Sequence, residues 1–149
     1  MTKVRIEILD VGNLGLVEAS IALLVNAFEK AERYDPLRLR EELQSHSGLF
    51  YRQFFVATKG SEIIGFGGVK AADWASHTHI LYLSAVAPEH RGQGIGRALL
   101  KTRIEWIENN FKLGRILVSS ARAKRFQDLS FVPMPKSGLE GRYLMMRRF

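Results

Sequence analysis

Residues 91–97 read Arg91-Gly92-Gln93-Gly94-Ile95-Gly96-Arg97, three glycines and two arginines within one short stretch. Glycine lets a backbone come close to a ligand because no Cβ stands in the way. Successive amide N–H groups in such a turn, opening onto a helix, form a socket for an anion. The two guanidinium groups add full positive charge beside it. The flanks fit that use. His79 to Val86 is nearly all apolar over the length of a strand, Pro88-Glu89-His90 ends it, and from Ile95 to Ile107 apolar residues recur at helical spacing. A strand, a basic glycine turn and a helix make a place to hold phosphate. A plain turn requires neither three glycines nor two arginines.

The spacing excludes two common phosphate binders. A dinucleotide fingerprint needs G-x-G-x-x-G; Gly92 and Gly94 fit its first two positions, but the third falls on Arg97. The loop of nucleotide triphosphatases needs Gly-Lys followed by Ser or Thr, and the chain contains no Gly-Lys. What remains is Arg-x-x-Gly-x-Gly at Arg91, Gly94 and Gly96, preceded by Val86-Ala87-Pro88-Glu89-His90. This resembles the acetyl-CoA pyrophosphate loop of the GNAT family of N-acetyltransferases. Downstream, Phe126-Gln127-Asp128-Leu129-Ser130-Phe131 resembles that family's Tyr-Glu-Lys-Leu-Gly-Phe segment. The resemblance implies an α/β fold: a mixed, mostly antiparallel sheet of six to seven strands flanked by about four helices, with a splay between the fourth and fifth strands. It implies one acyltransferase domain over residues 1–149, and an enzyme that moves an acetyl group from acetyl-CoA to a primary amine without a metal.

On that resemblance, the coenzyme falls to Ser84, Ala85 and Val86 on the fourth strand, to Arg91, Gly92, Gln93, Gly94, Ile95, Gly96 and Arg97 in the loop, and to Ser119 and Phe126 beyond it. The Val86 amide is the donor expected to polarise the acetyl oxygen. Ser119 stands where relatives often carry an Asn that bonds the pantetheine arm. A lysine-like amine has a pKa near 10.4, so about one in 2,500 is neutral at pH 7, and its proton must go somewhere. Many relatives carry a Glu near the position held here by Tyr82. Asp73, His79 and a water chain are the other routes; Glu89, in the turn beside the loop, reads as a cap or a solvent-facing residue. Phe126 matches the family's general-acid tyrosine and cannot donate a proton; Tyr143 or Tyr82 could stand in. General acid help is typically worth 10²–10⁴ in rate, about 3–5.5 kcal/mol, but a thiol pKa near 8.5 already makes thiolate a tolerable leaving group. The acceptor side draws on Tyr34, Phe50, Tyr51, Asp73, Trp74 and Met145, whose aromatic members could hold an amine by cation–π contact or simply pack. The alternatives to an enzyme are a catalytically weak acyl-CoA-binding or sensing protein and a basic nucleic-acid-associated protein.

The elements that must position these groups follow from pattern. Val4 to Leu9 alternates as a strand. Leu14 to Lys30 places Val17, Ile21, Leu24 and Phe28 on one helical face. Tyr34-Asp35-Pro36 breaks that helix before a short second one, Leu37 to Gln44. Strands at Gln53–Thr58 and Glu62–Lys70 flank the turn Lys59-Gly60-Ser61, a hairpin. Gly65, Gly67 and Gly68 suggest a bulge or a close backbone contact. His79–Ala87 is the central strand, and the helix after the loop runs to Asn110 with Gly114 as its cap. Strand Arg115–Ser119, a short helix within Ala121–Leu129, and strands Phe131–Met134 and Tyr143–Arg148 complete the order β-α-α-β-β-β-α-β-α-β-β, which is also the family's.

The 149 residues suit one domain with a real core. There is no cysteine, hence no disulfide framework, thiolate chemistry or cysteine-ligated metal. The four histidines, at 46, 77, 79 and 90, are scattered; His77 and His79 share a strand face and read as an exposed strand end. The apolar stretch Ala19–Phe28 is too short to span a bilayer, and Arg5, Glu7 and Asp10 interrupt any signal peptide, so a cytoplasmic protein is expected. Charge is uneven: residues 1–89 carry nine Lys and Arg against eleven Asp and Glu, net −2, while residues 90–149 carry thirteen against four, net +9. Arg91, Arg97, Lys101, Arg122, Lys124 and Arg125 suit the phosphates of coenzyme A. A nucleic-acid footprint would interleave aromatics with these cations, and nucleic acid is not expected. The acceptor is not encoded in any motif. Homodimers are common among the relatives, but no seam is legible in one chain.

Overall fold

A computed structural model describes residues 3–28, 33–44 and 50–149. Strand β1 (Val4–Ile8) leads to α1 (Leu14–Ala27) and α2 (Pro36–Glu42). Side chains cap both helices: Asn13 accepts from the Leu16 amide at 3.1 Å, and Asp35 from the Arg38 amide at 2.9 Å, with Pro36 in the first turn. The helix predicted to run to Lys30 instead closes at Ala27, where Phe28 is extended and its amide bonds to the Leu24 carbonyl; His46 lies outside the described residues. Strands β2 (Arg52–Lys59) and β3 (Glu62–Ala71) form the expected hairpin, with Gly60 at φ 64° in its turn. Then come β4 (Thr78–Val86), a 3₁₀ turn (Pro88–His90), α3 (Ile95–Asn110), β5 (Arg115–Ser120), α4 (Ala123–Gln127), β6 (Val132–Pro133) and β7 (Tyr143–Arg148).

The seven strands lie in the order β1-β2-β3-β4-β5-β7-β6. All neighbours are antiparallel except β4 and β5, which run parallel and pair only over Thr78–Ile80 with Arg115–Leu117. Helices cover both faces, so the middle of β2, Phe54–Ala57, is continuously apolar and its side chains divide between two cores. Phe54 and Val56 pack with Leu24, Leu39 and Phe66 under α1 and α2. Phe55 and Ala57 pack with Leu99, Ile104 and Ile107 of α3 and with Ile116 and Met145.

Both sequence readings of the β3 glycines hold. The β2–β3 register slips by one residue at Ile64, and the β3–β4 register slips again opposite Gly67, where β4 carries the extra residue and Leu83 takes φ 53°. A Cβ on Gly65 would lie 2.9 Å from Leu99, on Gly67 2.7 Å from the Arg103 guanidinium, and on Gly68 2.9 Å from the Tyr82 ring. Two expectations fail. Phe111, not Gly114, closes α3, its amide bonding to the Ile107 carbonyl; Gly114 is glycine because a Cβ would meet the His77 carbonyl at 2.6 Å. The histidine pair is not an exposed strand end either. His77 is exposed just before β4, but His79 is buried among Tyr51, Phe111 and Phe149.

Candidate active site

At the carboxyl end of β4 the chain turns through Arg91, whose Nε donates to the Val86 carbonyl at 3.2 Å. Gly92 and Gly94 follow at φ 79° and 80°, a left-handed conformation that glycine adopts without steric cost. Gly94 is the N-cap of α3 and has no side chain to satisfy the helix's first amides. The first intrahelical bond is donated by Ala98 to the Gly94 carbonyl. The amides of residues 92–97 therefore have no hydrogen-bond acceptor among the described residues. Six consecutive donors lie at and just before the N-terminus of α3, the positive end of its dipole. Arg125 of α4 overhangs this turn: a Cβ on Gly96 would lie 3.5 Å from its guanidinium and 3.7 Å from Val86. Arg91 and Arg97 are exposed at its rim, while Ile95 is buried against Leu99 and anchors the helix.

Beyond Ile80, β4 is paired to β3 on one edge and open on the other, because β5 has diverged. That opening leads from the glycine turn, past Ser84, Ala85 and Val86, to Tyr82 at its inner end. The Tyr82 ring faces the α1–α2 side of the sheet against Phe54, and its hydroxyl donates to Glu42 Oε2 of α2 at 2.6 Å. Arg52 of β2 lies 3.1 Å from the same carboxylate oxygen and donates to the Glu42 carbonyl at 3.2 Å. Lys70 Nζ sits 4.5 Å above the Tyr82 ring and forms no ion pair with any described residue. Burial first, then the hydrogen bond to Glu42, push the Tyr82 phenol far above the ordinary tyrosine value. Beside this cluster opens a cavity of about 180 Å³ lined by Phe50, Arg52, Lys70, Asp73, Trp74 and Ile80, among others.

The sequence matches the profile of the Acetyltransferase (GNAT) family over residues 20–129, well over half of its length. The chain belongs to the GNAT family. Solved structures agree on the fold. An acyl-CoA N-acyltransferase from Pseudomonas aeruginosa superposes with a TM-score of 0.75 at 15% identity, covering 97% of this chain and 99% of that one. ElaA from Escherichia coli superposes at 0.78 with 13% identity over 97% and 99%. The PaiA N-acetyltransferase from Thermoplasma acidophilum, solved with coenzyme A, superposes at 0.70 with 19% identity over 99% of each chain. No curated protein sequence matches significantly.

The structure places Ser84, Ala85 and Val86 on the part of β4 that β5 does not pair, and residues 91–97 in the turn that follows it and the start of α3. Ser119 is exposed at the end of β5, where its hydroxyl accepts from Arg142 Nε at 3.3 Å and its carbonyl from Arg142 Nη2 at 2.8 Å. Phe126 of α4 is half-buried and meets Phe131 edge-on at 5.4 Å. Tyr143, at the start of β7 and 44% exposed, lies over Gly138. Of the proton acceptors weighed from sequence, His79 is corrected. It faces the α3 core, and its Nδ1 is taken by the Tyr51 hydroxyl at 2.7 Å. Glu89 is exposed in the 3₁₀ turn. Of the acceptor-side residues, Phe50, Tyr51, Asp73 and Trp74 line the cavity, but Met145 is fully buried in the opposite core and Tyr34 stacks on Phe28. Sequence reasoning missed Glu42, Arg52 and Lys70. No local signal marks them, since Glu42 and Tyr82 are 40 residues apart and meet only through the packing of α2 on the sheet.

Proposed function

We propose that this GNAT protein is an N-acetyltransferase that carries acetyl groups from acetyl-CoA to a primary amine. The observation that carries the reading is the row of unpartnered amides at residues 92–97, with Arg91, Arg97 and Arg125 around it. Diphosphate oxygens fit such a turn, because each accepts hydrogen bonds from backbone donors that no side chain has claimed. From there the pantetheine arm runs along the free edge of β4, where Ser84 to Val86 offer main-chain groups. The Val86 amide is assigned to the acetyl oxygen, which gains negative charge as the amine attacks. The acceptor amine enters from the α1–α2 side, through the cavity flanked by Trp74 and Asp73.

The reading is tested in two steps. Calorimetric titration with acetyl-CoA measures binding. Thiol release is then followed with acetyl-CoA and a panel of L-lysine, spermidine, 2-phenylethylamine and a peptide with a free amino terminus. Amine-dependent release supports the reading. Tight binding without release from any amine, including longer acyl donors, replaces it with a coenzyme-binding role. No binding at all removes it.

A further inference from the structure

The position where many relatives carry a strand carboxylate holds Tyr82, and a carboxylate from another element has reached it. Glu42 comes from the last turn of α2 and accepts the Tyr82 hydroxyl proton at 2.6 Å. It is held in place by Arg52, through Nε at 3.1 Å from the carboxylate and Nη1 at 3.2 Å from the main-chain carbonyl. Its side chain is still 25% exposed, so one path from it leads to water. With its proton committed to Glu42, the Tyr82 oxygen can serve any other group only as an acceptor. The phenol's raised pKa keeps it protonated at neutral pH, so tyrosinate is not the base. A neutral hydroxyl can still pass a proton along by accepting one while donating another.

We propose that Tyr82 and Glu42 form the proton exit for the acceptor amine, a role that rests on the acetyl-transfer reading above. Lys70, 4.5 Å above the Tyr82 ring, disfavours an ammonium ion beside it, so the amine docks neutral, having left one proton in solvent. Its lone pair forms the C–N bond to the thioester carbonyl carbon as the C=O π pair moves onto oxygen, leaving nitrogen positively and oxygen negatively charged. The nitrogen proton passes to the Tyr82 oxygen as the Tyr82 proton passes to Glu42 Oε2. The oxyanion pair then re-forms the C=O bond as the C–S bond breaks, its electron pair leaving on sulfur, which takes a proton from solvent. Glu42 returns its proton to water through its exposed side. No oxidant, reductant or further reactant is needed.

Glu42→Gln, Tyr82→Phe and the double variant test this, with acetyl-CoA affinity by calorimetry as the check that the coenzyme side is intact. With the fastest alkylamine of the panel, each single variant is expected to lose about 100-fold or more in kcat, within the range of general-base catalysis. The double variant should be no worse than the poorer single, because the two groups act as one unit. Hydroxylamine is the discriminating probe, since the adduct it forms sheds its nitrogen proton to water unaided; with it the losses should stay under about tenfold. Equal losses with both nucleophiles would mean that Glu42 and Tyr82 only hold α2 in place, and overturn the proton exit. So would kcat retained within about twofold in Glu42→Gln. Both of these leave acetyl transfer by the wild type standing. Absence of wild-type turnover with every amine overturns the transfer reading and the proton exit together.

Discussion

Gly94→Asp puts a negative charge among six amide donors, and its effect can be separated from backbone strain by Gly94→Ala. Gly94 sits at φ 80° and ψ 7°, and no heavy atom lies within 4 Å of where a Cβ would stand. Alanine therefore meets no clash, only the left-handed penalty of about 1–2 kcal/mol. That cost falls on free and bound protein alike, lowering stability and leaving coenzyme affinity nearly unchanged. Aspartate carries a similar or smaller backbone cost, since Asx residues tolerate this conformation. It adds a carboxylate beside the diphosphate site. Two unit charges about 4 Å apart repel by about 1 kcal/mol in bulk water and about 4 kcal/mol at the effective dielectric of a protein surface. The carboxylate also competes for the very amides the diphosphate would use. Acetyl-CoA affinity should therefore fall about 30-fold or more in Gly94→Asp and less than about threefold in Gly94→Ala. Calorimetry at low salt and at higher salt is the assay, and the gap between the variants should narrow as salt screens the repulsion. Equal affinities in two variants with matching thermal melts would refute the phosphate assignment.

Three further outcomes follow from the same geometry. Phe126→Tyr should leave the acetylation rate unchanged or raise it, because a hydroxyl would regain proton-donor chemistry at that position; a large drop with folding intact would show that the ring fills space a hydroxyl cannot share. Gly67→Ala should cost about 1–3 kcal/mol in urea unfolding, because its Cβ would sit 2.7 Å from the fully buried Arg103 guanidinium, itself held by the Leu99 and Gly68 carbonyls and pushed down by burial to about 10; an unchanged midpoint would mean the arginine swings aside freely. His79 makes stability pH-dependent: burial, and secondarily His77, lower its pKa below the ordinary 6.5. Below about pH 6.5 the unfolded chain takes up a proton that the fold refuses, so stability should fall with pH by up to about 1.4 kcal/mol per unit until the lowered value is reached. His79→Gln should remove that slope, and identical slopes in the two proteins would refute the assignment.

What was legible in the sequence was what depends on neighbours along the chain. The glycine turn is recognisable because its function lies in the backbone, and backbone function requires glycine at fixed positions such as 92 and 94. The hairpin, the Asp35-Pro36 helix start and the apolar faces of α1 and α3 follow from spacing of the same local kind. The failures are long-range. Gly114 reads as a helix cap from its position, yet its lack of a side chain answers to the His77 carbonyl on another strand. His79 reads as exposed because a single strand cannot reveal that Phe111 and Phe149 close over it. Glu42 is one of two adjacent glutamates on an exposed-looking helix, and only the fold shows that it meets Tyr82 while Glu41 does not.

The two proton transfers in acetyl transfer are unequal, and the proposed site treats them unequally. The cationic nitrogen of the tetrahedral adduct must lose its proton before the amide can form, whereas a thiolate whose acid has a pKa near 8.5 leaves without much help. On the reading developed here, the harder transfer has a built route, since Tyr82 is fixed by Glu42 and Glu42 by Arg52. The easier one has none at the family's tyrosine position, where Phe126 packs on Phe131. Tyr82 cannot serve both ends, because a hydroxyl has one proton and Glu42 holds it. The same division explains why the loss of a general-acid hydroxyl need not silence the site. Leaving-group protonation can be handed to solvent at modest cost, whereas the adduct nitrogen must lose its proton before the C–S bond breaks. On the proposed route, the phenylalanine at 126 and the carboxylate at 42 are two parts of one arrangement, with proton handling on the acceptor side of the sheet.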